Sequence, residues 1–514
     1  MISFLISIVA LVMGYFIYGA IIERIVAPDD RETPATRLAD GVDYVAMPTW
    51  KVFMIQFLNI AGTGPIFGAI MGMWFGPAAF LWIVIGCIFA GAVHDYLSGM
   101  LSMRHDGANL PTLIGDNLGG VARKVMLAFT VLLMLMVGAV FVYSPAIILE
   151  GIAGSQVMWI VIIFVYYLVA AMMPIDKIIG KIYPIFAVSL LFMAVALLGV
   201  MLVKMPHLPE LWDLGNMTPW YESQQVGGKD ALGVVAFLQK NPIFPCLFIT
   251  IACGAISGFH ATQSPMMARC LKSERLGRKI FYGSMITEGL VALIWASVSS
   301  YFFYYVGWRE VVPADQVEAF VSQFAADDGK TLIQYFSAPT VVKIVCTGWL
   351  GIFGGILAML GVVAAPITSG DTALRSARLI IAEALHLNQR TVRNRLMICV
   401  PVFAVTFGLL MWQISNPDGF NVLWQYFGWS NQTLSVFTLW AITVYLAREG
   451  KAYVVTLIPA LVMTAVCTVF LLVSPQALSL DRRIAWPAAL VIVIIAMVCF
   501  FAWHRRQKGV RVKE

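Results

Sequence analysis

Charge is scarce in this chain. Only 12% of its 514 residues are Asp, Glu, Lys or Arg, while 60% are hydrophobic. Water-soluble domains carry about 25% charged residues, so a soluble fold is excluded. Catalytic signatures are missing as well. There is no HExxH, no P-loop, no nucleophile elbow and no paired His/Cys ligand set, which speaks against a membrane enzyme and against a bound cofactor. No CxxC pair occurs either. The eight cysteines (Cys87, Cys246, Cys253, Cys270, Cys346, Cys399, Cys467 and Cys499) are scattered, nearly all within apolar runs. They read as small packing residues, without a disulfide framework or a metal site. The net charge of +6 resides in short loops between apolar runs and implies no nucleic acid partner.

What is present is a succession of apolar runs, most of them long enough to cross about 30 Å of hydrocarbon. Thirteen spans are expected: 3–26, 52–72, 77–103, 124–150, 157–173, 183–203, 244–266, 280–306, 341–366, 396–414, 421–446, 454–473 and 485–503. The first reads as a retained helix, since no positive residue precedes it and no small-residue cleavage site follows. Of the 34 lysines and arginines, 25 fall in one alternate set of loops and 7 in the other. The positive-inside rule makes the first set cytoplasmic, with the N-terminus outside and the C-terminus inside. The longest loops, 204–243 and 307–340, are then external and have room for short helices. Residues 370–387 space Leu374, Ala377, Ile381 and Leu385 along one stripe, which predicts an amphipathic helix on the cytoplasmic surface.

Two spans are built to break. In VFMIQFLNIAGTGPIFGAIMGMWFG (52–76), two glycines and a proline stand within four residues. Relative to Ala, each Gly costs a helix interior about 1 kcal/mol and Pro about 3. In FPCLFITIACGAISGFHATQSPM (244–266), Gly254, Ser257 and Gly258 interrupt the run, and His260, Thr262, Gln263 and Ser264 follow. Each break opens a set of five spans, and the loop charges give the two sets opposite orientation. This predicts an all-α five-plus-five inverted repeat with discontinuous helices, the LeuT/APC-like transporter architecture. The halves are 52–203 and 244–446, with a peripheral helix at 1–27 and two more at 454–503. Irregular backbone at membrane depth must be buried in protein or line a wet cavity. Freed amides around Gly64 to Phe67 suit a carboxylate, and freed carbonyls around Asn59 to Gly62 suit a cation. The expected substrate contacts are Asn59, Gly62, Thr63, Gly64, Pro65, Ser257, Gly258, His260, Gln263 and Ser264. The bland alternative is that the glycines serve tight packing or a kink.

Other polar residues carry two readings each. Asp95 and Glu288 lie at similar depth on corresponding spans, where a buried carboxylate can carry a coupling proton or be paired with His94 or Arg104 to fix packing. Thr368 and Ser369 can hold Na⁺ together with the Ala61 region of the first break. Alternatively, Ser369 or Asp371 caps the surface helix, with Asp371 and Arg375 as an i,i+4 pair. Asn431 and Gln432 either support the site or tie helices together. Asp106, Asn109 and Asp116 read as turn and cap residues, and the run Arg269 to Lys279 as the inside-positive anchor.

Six stretches resemble the carbon starvation protein A (CstA) family: NIAGTGPIFGA (59–69), GAVHDYLSGM (91–100), RHDGANLPTLIGD (104–116), ACGAISGFHATQSPMMARCLKSE (252–274), SGDTALRSARLIIAE (369–383) and FGWSNQTLS (427–435). They run along nearly the whole chain in family order. The resemblance implies an uptake carrier of the bacterial cytoplasmic (inner) membrane, proton-coupled, for pyruvate or small peptides. Many members are longer at the C-terminal end. Import of a pyruvate-like carboxylate by H⁺ symport, or by Na⁺ symport, is the leading expectation. Peptide uptake is the alternative, and a metabolite sensor working through a partner is a reading of another class. The expected partners are a small molecule and the lipid bilayer.

Overall fold

The computed structural model describes residues 1–511 other than 42, 151–153, 174, 223–224, 227–228, 305–306, 327–330, 390, 417–418 and 475–476. Apolar composition over long stretches leaves helix as the way to satisfy backbone groups within each segment. The chain folds into α1 (Ile2–Val26), α2 (Thr49–Ile60), α3 (Gly64–Phe75), α4 (Ala78–Arg104), α5 (Leu110–Leu118), α6 (Gly120–Glu150), α7 (Gln156–Met172) and α8 (Ile175–Lys204). These are followed by α9 (Ile243–Thr250), α10 (His260–Ala268), α11 (Glu274–Tyr304), α12 (Ala338–Ala384), α13 (Val392–Ser415), α14 (Gly419–Arg448), α15 (Val454–Val473) and α16 (Arg482–Arg511).

Among the described residues, nine helices are long and apolar enough to cross a membrane. The pair α2–α3, bent by 52°, makes a tenth. The shorter α7, the pair α9–α10 and α14 complete the thirteen expected segments. Both expected breaks are present. Residues 61–63 separate α2 from α3, and residues 251–259 separate α9 from α10. The sets α2/α3 to α8 and α9/α10 to α14 form the five-plus-five inverted repeat. Helix α1 lies against α4 and α11, while α15 packs on α14 and carries α16. The long loops 204–243 and 307–340 hold short helices, Val234–Lys240 and Ala314–Ala325, and a two-residue antiparallel pairing of Gln225–Val226 with Lys229–Asp230. Outward faces such as Val161, Val165 and Val169 on α7, and Leu490, Ile494 and Val498 on α16, are exposed apolar stripes suited to lipid.

One element differs from expectation. Most of the predicted surface helix at 370–387 is the C-terminal part of α12, which ends at Ala384. That helix breaks at Gly351 (φ 65°, ψ −171°), and its membrane-length part is Gly354–Ala384. Leu374 and Ala377 are buried, and so are the charged Asp371, Arg375 and Arg378. Protein covers the polar face as well as the apolar one. Tyr183 of α8 donates to Asp371 Oδ2 at 2.7 Å, and Arg375 donates to the Ala170 carbonyl of α7. The stripe therefore reports two buried sides of one span, with no interfacial helix.

Candidate substrate and ion site

The two breaks face each other at the centre of the bundle. A Cβ placed on Gly64 would lie 2.3 Å from Cys253 Cβ, and one on Gly254 would lie 3.7 Å from Pro65 Cα. Only a residue without a side chain lets the start of α3 approach the second break this closely. The π-helical opening turn Gly64–Gly68 places Ile66 and Phe67 under Thr63, whose carbonyl accepts both amides at 3.2 and 2.7 Å. That corrects the expectation of free amides through Phe67. Pro65 has no amide proton, which leaves Thr63 and Gly64 as the donors at this end. On the carbonyl side, Ser369 of α12 donates to the Leu58 and Asn59 carbonyls at 3.3 and 3.0 Å. Ser369 thus lies mid-helix against the first break, and the capping reading for it and for Asp371 is overturned. Thr368 turns away, its hydroxyl bonding its own helix at Ala364 and Ala365, 2.9 Å each.

The second break is held by α14 and α4. Asn431 Oδ1 accepts from the Phe259 amide at 2.7 Å and from Ser257 Oγ at 3.0 Å, and the Asn431 carbonyl accepts from the Gly258 amide at 3.2 Å. Gln432 Nε2 donates to the Phe248 carbonyl at 2.7 Å, and Trp82 Nε1 to that of Ile251 at 2.9 Å. The SNQ stretch therefore ties helices and supplies the broken ends with partners at once, uniting both readings made of it. Trp82 escapes sequence reasoning, because a Trp in an apolar run carries no mark of its carbonyl partner.

Next to this break lies the titratable cluster. A Cβ at Gly91 would stand 2.2 Å from the Ala255 carbonyl, so its absence lets α4 press against the break. One turn later Asp95 receives two histidines: His94 Nδ1 at 2.8 Å from Oδ1, and His260 Nδ1 at 2.8 Å from Oδ2. On its other side, His260 Nε2 is 3.4 Å from Glu288 Oε2, without hydrogen-bond geometry. Asp95, His260 and Glu288 are all sealed from solvent. His260 thus bridges carboxylates from α4 and α11, the second spans of the two halves. The packing reading for Asp95, through His94, is present in the same cluster.

Other expected contacts are distributed unevenly. Gln263 Nε2 bonds Thr262 Oγ1 at 2.8 Å while its Oε1 is buried without a partner, and Ser264 Oγ bonds back to the His260 carbonyl at 3.0 Å. Both polar atoms of the Asn59 amide and the Thr63 hydroxyl are also buried without hydrogen-bond partners among the described residues, and the Glu288 carboxyl has the Gly254 amide alone beside it. Buried polar groups are nearly always paired, so these atoms are open to a polar partner. In the loop after α4, Asp106 pairs with Arg37, and Asn109 with Glu383. The basic run is more than an anchor. Buried Arg269 donates to the Gly107 carbonyl at 2.9 Å, and Arg275 pairs with Asp30.

The family model for Carbon starvation protein CstA matches residues 1–150 and 142–471. The chain belongs to this family. Among CstA relatives, the peptide transporter CstA of Mycobacterium tuberculosis is 28% identical, aligning 86% of this chain with 70% of its own length. That of Escherichia coli K12 is 26% identical over 88% of this chain and 78% of its own. An uncharacterized membrane protein of Haemophilus influenzae is 44% identical over 346 residues, 59% of this chain and 91% of that one. Solved structures share the fold at 13% identity. A Na⁺-coupled sialic acid symporter has a TM-score of 0.53, covering 95% of this chain and 96% of its own. A manganese transporter of Eremococcus coleocola has a TM-score of 0.51, covering 91% and 98%.

Proposed function

We propose that this CstA-family protein imports short peptides across the bacterial inner membrane by ion symport, with H⁺ carried by Asp95, His260 and Glu288. The observation that carries the reading is His260 poised between two buried carboxylates at the second break. A peptide presents an ammonium and a carboxylate. The acidic cluster suits the first, and the Thr63 and Gly64 amides at the start of α3 suit the second. Pyruvate, placed first on sequence grounds, has no ammonium for the acidic cluster to hold, and the relatives' names favour the peptide. Ser369, with the carbonyls of Asn59 and Ala61, is the place for Na⁺ if sodium takes part. Thr368 does not contribute its hydroxyl in this conformation. The halves 52–203 and 244–446 rock about this site, with the N-terminus outside and the C-terminus cytoplasmic.

Right-side-out vesicles carrying the protein test this. Under an imposed inward H⁺ gradient, labelled dialanine accumulates above equilibrium and leaks away when the gradient is collapsed. Labelled pyruvate and added Na⁺ are run beside it. Accumulation of pyruvate without dialanine overturns the peptide reading, and binding without accumulation of either overturns transport in favour of a sensor.

A further inference from the structure

The second break gathers more chemistry than proton transfer requires. Cys253, His260 and Glu288 each offer one ligand-type atom, and these atoms lie within 4.8 Å of one another, all buried; the Cys253 sulfur also contacts Ser257 Oγ at 3.4 Å. The 3.4 Å between His260 Nε2 and Glu288 Oε2 is too poorly aligned for a hydrogen bond. It is close to the spacing of two ligands around a tetrahedral ion with bonds of about 2.0–2.1 Å, which is about 3.3 Å. The ring is held from behind. Asp95 Oδ2 lies 2.8 Å from His260 Nδ1, which turns Nε2 toward Glu288 and leaves it as the nitrogen a metal would take. A carboxylate behind a histidine is the usual outer support of a metal-binding imidazole. Apart from a weak contact with the Gly254 amide, neither Glu288 oxygen has a partner among the described residues.

We propose that Cys253, His260 and Glu288 form a binding site for one divalent transition-metal ion of the zinc class. A sulfur, an imidazole and a carboxylate select such an ion over Na⁺, Mg²⁺ or Ca²⁺, which prefer all-oxygen sites. Three protein ligands match the count of an open, exchangeable zinc site. On binding, the Cys253 thiol proton passes to solvent and the sulfur–metal bond forms, with no change of oxidation state. The site is reached from water when the carrier opens. The proposal stands on ligand geometry and needs no coupling role for these side chains, although metal and proton would compete for the same atoms.

The test is a binding measurement on the full-length protein, carrying Cys499→Ser because that thiol is exposed. Membranes are incubated with Zn²⁺ or Co²⁺, and the protein is then purified and desalted. Mass spectrometry of the metal is expected to return one equivalent per chain. The Co²⁺ form is expected to show thiolate-to-cobalt charge-transfer absorption, lost in Cys253→Ser. Asp95→Asn, acting only through His260, lowers metal affinity by about 10–100-fold. A Co²⁺ form without the charge-transfer band, or no more metal than Cys253→Ser retains, overturns the site. The spectrum decides even if a variant fails to fold, and no transport reading enters.

Discussion

Gly64 and Glu210 show how single residues set the limits of this structure. Any side chain at Gly64 enters the space of Cys253, 2.3 Å from its Cβ. Overpacking of this kind costs about 1–3 kcal/mol and forces backbone shifts. Gly64→Ala is therefore expected to insert normally, melt at lower temperature in detergent and lose dipeptide uptake. Gly64→Ala with Cys253→Gly recovers stability, because the second substitution removes the colliding atoms; failure to recover would locate the defect elsewhere. Glu210, in the loop after α8, accepts from the amides of Ile2 at 2.9 Å and Ser3 at 2.7 Å and from the Met1 amino group. Burial alone would raise its carboxyl, but these donors outweigh burial and hold it below the ordinary carboxylate range. A carboxyl lowered on folding stabilises above its unfolded value, about 4.3. The contribution is lost as pH falls through the lower folded value. Proteolytic protection of α1 is expected to fail in that acid window for the native chain, and already at neutral pH for Glu210→Ala.

Broken helices were legible because their cause is local. Gly62, Gly64 and Pro65 cannot carry an uninterrupted helix, and neither can Gly254 (φ 92°) followed by Ser257 and Gly258. The course of α12 was not legible. Its break at Gly351 lies within a glycine-rich apolar run, while its buried charges imitate the polar face of a surface helix. Only the partners distinguish the two cases, and Tyr183 and Ala170 come from about 190 and 200 residues upstream. For the same reason the polar character of Asn431 and Gln432 was readable while their duty to the second break was not. The corrected path of α12 separates two neighbouring hydroxyls. Ser369→Ala removes the donor facing the Leu58 and Asn59 carbonyls and is expected to abolish any Na⁺ stimulation of uptake. Thr368→Ala, whose hydroxyl returns to its own helix, is expected to retain it. Initial uptake rates across a Na⁺ series separate the two, and equal behaviour would remove sodium from the first break.

Across the whole molecule, transport demands that a site closed to both solutions open to each in turn. In this conformation Asn59, Thr63, Asp95, His260 and Glu288 are all shut off from water. The cluster joins Asp95 of α4, in the first half, to His260 of α10 and Glu288 of α11, both in the second. Rocking one half against the other would strain the 2.8 Å bond between His260 and Asp95, which crosses between the halves, more than the 3.4 Å approach of His260 to Glu288, which lies within the second half. In the proposed cycle Asp95 holds the contact between the halves, while Glu288, which His260 approaches without a hydrogen bond, is the acid that carries the proton. Gradient-driven accumulation and gradient-free exchange report these duties separately. Glu288→Gln keeps the size and loses the exchangeable proton, so concentrative dipeptide uptake is expected to vanish while counterflow of internal against external dipeptide persists. Asp95→Asn disturbs both histidines and is expected to depress both processes. If Glu288→Gln still concentrates dipeptide under a pH gradient, the proton travels by another route and the bridge at His260 serves packing alone.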